Sequence, residues 1–110
     1  MIVHLASFTW TPEVTAADVA GLTESLTAMA AAVPELRYYQ CGENVRLRPG
    51  GADYGVLALV DDQAGLDAYL DSEAHKQVYA DWLSWMIDTR HAVQLESDGL
   101  SVARSEQPEN

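Results

Sequence analysis

Three side chains able to handle protons fall on apolar faces of this sequence. They are His4 in the opening run IVHLASFTW, Tyr69 near the end of a short helical run, and His75 at the head of the next. A neutral imidazole moves protons near neutral pH better than any other side chain. If the strand and the helices pack together, the two rings and the phenol meet in one apolar space. Proton abstraction from a carbon between two carbonyls needs a base of near-neutral pKa, a donor for the developing enolate, and few waters. His75 is then the candidate base, Tyr69 holds it or donates to the enolate oxygen, and His4 is the second donor. Ala6, Phe8, Leu26, Val56, Ala58, Val78 and Trp82 are expected to wall the pocket. Each of the three also has a structural reading: a capping group for His75, a core ring bonded to a carbonyl for His4, a core aromatic with its hydroxyl at the edge for Tyr69.

Other chemistries find no residues here. The sequence has no Walker loop, dinucleotide fingerprint, paired-cysteine motif or serine elbow. Glu73 and His75 are two apart, which does not share a helix face, so no metal pair is expected. Cys41 is the single cysteine and sits in a strand-like stretch, where it reads as a packed thiol. What remains is acid/base chemistry without cofactor or metal.

Charge and length set further bounds. Seventeen acidic residues against six basic give a net charge of −11, and the basic residues form no cluster, so phosphate backbones are repelled and nucleic acid is not an expected partner. The longest purely apolar stretch, Ala28 to Val33, is far below a membrane span, and no basic segment followed by an apolar run opens the chain. A cytoplasmic protein is expected, and one Lys among many Ala suggests a GC-rich bacterial genome. At 110 residues the chain suits one domain with one core.

The elements that must position the three residues follow from periodicity. Residues 2 to 10 alternate, with Ile2, His4, Ala6, Phe8 and Trp10 on one face and Val3, Leu5, Ser7 and Thr9 on the other. Thr15 offers an N-cap with Asp18 three residues on, and Val19, Leu22, Leu26, Met29 and Val33 recur at helical spacing until Pro34 ends the pattern. Leu36 to Val45 and Tyr54 to Val60 read as strands around the turn Arg48-Pro49-Gly50-Gly51. Asp62 to Leu70 reads as a short helix capped by Asp61-Asp62. After a break near Ser72, a second helix runs to about Asp88 with His75, Val78, Trp82 and Trp85 on one stripe. His91 to Glu96 is the fourth strand, and 101–110 is a polar tail, expected to be frayed, beyond a single domain of residues 1–100.

That order predicts an α+β, ferredoxin-like fold: a four-stranded antiparallel sheet with helices on one face. Both sheet faces are apolar, however, and helices cover only one. The other face, with Leu5, Leu57 and Leu59, calls for a second copy of the chain, two sheets closing a barrel.

The sequence resembles the stress-responsive A/B barrel family, Dabb, over residues 1 to about 96. The resemblance lies in Met1-Ile2-Val3-His4-Leu5, the Val33-Pro34 helix end, Gly42-Glu43-Asn44, and the stretch from Asp67-Ala68-Tyr69-Leu70 to Glu73-Ala74-His75. It implies a dimeric α+β barrel. The characterised member nearest in kind, olivetolic acid cyclase, closes a linear polyketide thioester by aldol condensation without metal or cofactor. Its proposed acid/base residues look similar to Tyr69 and His75, and a pocket-lining histidine matches His4. Two further polar positions of that cyclase correspond to Leu26 and Val56 here, which implies a less polar substrate. The resemblance also leaves room for a small-molecule-binding or stress-related module without catalysis, and for a cofactor-free oxygenase.

Overall fold

The computed structural model describes residues 1–97; the end of the expected domain and the polar tail over 101–110 lie outside them. In chain order the elements are β1 (Ile2–Trp10), α1 (Ala16–Ala32), β2 (Tyr38–Glu43), β3 (Tyr54–Val60), α2 (Gln63–Leu70) and α3 (Glu73–Val78). The helix α3 continues through a π-helical turn (Tyr79–Leu83) into a last α-helical turn, α4 (Ser84–Met86), and the chain ends in β4 (Ile87–Glu96). The four strands form one antiparallel sheet in the order β2-β3-β1-β4. This is the ferredoxin-like arrangement that the sequence predicts.

Local chemistry starts and stops the helices. Thr15 and Asp18 form a reciprocal capping box, the Asp18 amide donating to the Thr15 hydroxyl at 3.2 Å and the Thr15 amide to the Asp18 carboxylate at 2.9 Å. From there Val19, Leu22, Leu26 and Met29 are buried, each apolar side chain contributing about 1.5–3 kcal/mol. Pro34 forces Val33 into an extended conformation and α1 stops at Ala32. Asp62 alone caps α2, accepting from the Gly65 amide at 2.9 Å, while Asp61 pairs instead with Arg37.

Alternation sorts the sheet into two faces. Tyr54, Val56, Ala58 and Val60 of β3 are buried beneath the helices, with Phe8 and His4 beside them on β1. The opposite face carries Leu5, Leu57 and Leu59, continued on β4 by Val93 and Leu95, each 49% exposed. Gly42 and Gly55 stand opposite each other in the β2–β3 ladder, and with no side chains there an open hollow of about 530 Å³ forms on this outer face.

Two sequence expectations fail in the C-terminal third. The helix stops at Met86 rather than Asp88, and β4 begins at Ile87 rather than His91. Ile87 and Thr89 are β-branched, and Ile87, Thr89 and Arg90 find ladder partners in Trp10, Thr9 and Phe8, which decides the boundary. The stripe through His75, Val78, Trp82 and Trp85 also breaks. The Ser84 amide reaches back to the Tyr79 carbonyl, five residues away, and this wider turn takes up one extra residue. After Val78 the buried positions are therefore Leu83 and Met86, and Trp85 is 43% exposed. Trp82 turns toward α1, where its Nε1 donates to the Ser25 hydroxyl at 3.0 Å and its ring fills the space left by Gly21.

Candidate active site

One serine ties the two residues that lead the site. Ser72 caps α3 by accepting the His75 amide at 3.1 Å, and its own hydroxyl donates to the Tyr69 carbonyl at 2.8 Å. The break between α2 and α3 is thereby held at a fixed angle. As a result the Tyr69 ring lies edge-on to His75, centroids 5.2 Å apart, and edge-on to His4 at 6.2 Å. From β2, Tyr39 adds a third edge contact, 6.2 Å from Tyr69.

These rings border a cavity of about 320 Å³ between the sheet and the helices, near the low end of the range for small-molecule sites. His4, Tyr69 and His75 all line it, and so do Ala6, Phe8, Leu26 and Val56. Ala58, Val78 and Trp82 do not. Ala58 is flanked in register by the larger His4 and Tyr39, which cover its methyl group. Val78 is buried in the core, and Trp82 is carried to α1 by the π turn. In their place Leu70, Tyr79 and Leu83 close the helical side.

The sheet side holds residues that the sequence reading missed: Tyr39, and above all Arg90, Ala92 and Gln94 of β4. Starting β4 at His91 left Arg90 in a connection. Once the strand starts at Ile87, alternation puts Arg90, Ala92 and Gln94 on the face of Phe8, Ala6 and His4, their partners in the ladder. Alternation through Arg90 was the signal available.

Gln94 controls the state of His4. Its amide nitrogen lies 2.9 Å from His4 Nδ1. An amide nitrogen only donates, so Nδ1 accepts and the proton of the neutral ring sits on Nε2. Burial pulls the His4 pKa below its ordinary 6.5. Burial does the same to His75, with smaller contributions from the charges of His4 and Arg90, while Asp71 pulls weakly the other way. Both imidazoles are therefore neutral at pH 7. Burial pushes the Tyr69 phenol up to about 12, so it keeps its proton and donates. Tyr39 is also raised, chiefly by burial and further by the Tyr69 hydroxyl beside it.

The arrangement can thus present a neutral base and two O–H or N–H donors to one apolar space. Among the described residues no three His, Cys, Asp or Glu side chains converge as a metal site requires. No helix among them is long and apolar enough to cross a membrane. Cys41 is half-buried and free, and does not line the cavity.

Residues 2–97 match the stress responsive A/B barrel domain, Dabb. The chain belongs to the Dabb family. A dimeric ferredoxin-like protein of unknown function from Thermobifida fusca is 34% identical to this Dabb domain and superposes with a TM-score of 0.81, over 87% of this chain and 90% of that one. An uncharacterized protein of Streptomyces coelicolor is 31% identical over 67 residues, 58% of this chain and 69% of its own. The Dabb fold is also shared with the hydroxynitrile lyase of Passiflora edulis, at 8% identity and a TM-score of 0.76 over 92% of this chain and 96% of that one.

Proposed function

We propose that this Dabb protein is a cofactor-independent acid/base catalyst that acts on a small hydrophobic carbonyl compound through an enolate, as in a polyketide-type aldol cyclisation. The observation that carries the reading is the His75 ring. It is neutral at pH 7, engages no other group among the described residues through its ring nitrogens, and stands edge-on to a phenol that holds its proton.

In the proposed reaction His75 removes a proton from the carbon beside the carbonyl, and the Tyr69 hydroxyl and His4 Nε2–H donate to the oxygen as charge develops there. The imidazolium returns the proton once the new carbon–carbon bond has formed, or to the carbon itself when no acceptor is in place. Leu26 and Val56 leave that wall without hydrogen-bonding groups, so the substrate is apolar where it meets them. Support for a catalytic site on this architecture also comes from the lyase that shares it, at the level of the fold.

We further propose that the protein works as a homodimer. Leu5, Leu57, Leu59, Val93 and Leu95 make a continuous apolar outer face, and the 34% identical relative is dimeric.

The test is exchange of methyl protons of an aryl methyl ketone, acetophenone, in heavy water. Wild type should exceed the buffer rate and His75→Ala should not. If wild type produces no exchange while still binding the ketone, the cavity belongs to a binding module and the histidines only orient its ligand.

A further inference from the structure

We propose that the cavity takes an anionic ligand, a small carbonyl compound with an apolar body whose carboxylate is held at the rim by Arg90. This deepens the proposed function, on which it rests for the reacting end of the ligand, and adds the opposite, charged end.

The charge pattern carries the argument. The chain has 17 acidic residues and 6 basic ones, so a hollow on its surface would on average include carboxylates. Among the described residues no Asp or Glu lines this one. Its polar lining is two neutral imidazoles, the Gln94 amide, three tyrosines and one guanidinium. Of the other basic side chains described, Arg37 is paired with Asp61, Arg46 with Asp53, and Lys76 lies 3.8 Å from Glu73. Arg48 is in the β2–β3 connection and does not line the cavity. Arg90 forms no ion pair among the described residues, and its ladder partner on β1 is Phe8, which cannot neutralise it.

A planar guanidinium left unpaired at the mouth of an apolar cavity matches a carboxylate, which it binds through two parallel hydrogen bonds. Arg90 lines the same cavity as the reacting groups, and its charge is one of those that disfavour protonation of His75, against which Asp71 pulls more weakly. A ligand with an acid at one end and a carbonyl at the other would satisfy Arg90 at the rim while its carbonyl meets Tyr69 and His4. A keto acid on an aryl or alkyl body has that form.

The test uses two ring compounds of one shape, benzoate and benzamide, titrated into wild type while the ring resonances of His4 and His75 are followed by NMR. Benzoate should bind about tenfold or more tightly than benzamide, with a preference that shrinks as salt is added. Arg90→Gln should abolish the preference by weakening benzoate far more than benzamide, and Arg90→Lys should keep part of it. Arg90 is exposed, so its replacement leaves the core intact. Equal affinities in wild type, a preference that survives Arg90→Gln, or failure of benzoate to move either histidine would each overturn the proposal. The readout is binding, so this result and the exchange experiment above can fail independently.

Discussion

Gln94 stands opposite His4 in the β1–β4 ladder, and its amide nitrogen is 2.9 Å from Nδ1. A residue on the last strand thus decides which face of a first-strand histidine can donate. Gln94→Leu should let the two ring tautomers mix, visible in the ring-nitrogen chemical shifts of His4. It should lower kcat by roughly fivefold, the worth of about 1 kcal/mol of hydrogen bond, with KM little changed. Unaltered shifts in the variant would show that Gln94 does not set the tautomer.

Replacing the proposed base should remove the reaction and spare the fold. His75→Ala should reduce exchange or turnover by about a hundredfold or more, and Tyr69→Phe by a similar factor if its hydroxyl bears the developing charge. His75 is half-buried rather than fully buried, and Tyr69→Phe keeps the buried ring, so circular dichroism should show both variants folded. Retention of full activity by His75→Ala would remove it from the mechanism.

Stability should depend on pH with a definite sign. In the unfolded chain both histidines titrate near 6.5, and in the fold burial lowers both values. Below 6.5 the unfolded chain therefore binds more protons, so stability is fully present above that pH and falls as the pH drops through the folded values. Thermal melts across that window should flatten in the double variant His4→Gln, His75→Gln. An unchanged slope would falsify the account. The acidic limb of kcat/KM should likewise have its midpoint below 6.5.

The outer sheet face gives a prediction about assembly. Leu57→Asp places a charge in the middle of the apolar face and should yield monomers or aggregates in place of dimers. Light scattering of wild type at micromolar concentration reads the premise directly, and a stable wild-type monomer refutes it.

A fifth prediction concerns packing behind the site. A methyl group at Gly21 would lie 2.5 Å from the Trp82 ring, so Gly21→Ala should destabilise the protein by about 1–3 kcal/mol. Combining it with Trp82→Leu should recover part of the loss, as a denaturant titration of the two single variants and the double variant would show.

Much of the fold could be read from residues that state their own geometry. The alternation in β1 and β3, the Thr15–Asp18 cap and Pro34 leave little room for other assignments. The histidine pair was visible because both residues interrupt apolar stripes. Arg90 and Gln94 were not, since polar residues on an edge strand look like solvent-facing ones, and only pairing with β1 tells which way they point. The π turn was hidden for a different reason. Spacings of three, four and three from His75 to Trp85 fit an uninterrupted α-helix, and what selects the wider turn is the packing of Leu83 and Met86 into the core and of Trp82 on Gly21.

The π turn also separates the part of the cavity wall it shapes from the histidine ahead of it. Upstream, Ser72 pins His75 at the head of α3; downstream, Leu83 closes the wall, and its direction depends on how wide the turn is. Winding the same residues as plain α-helix would rotate everything beyond the turn by about 100°, one step of a 3.6-residue helix, and leave the histidine where it is. The width of this one turn therefore sets the shape of the chamber, and His75 stays in position.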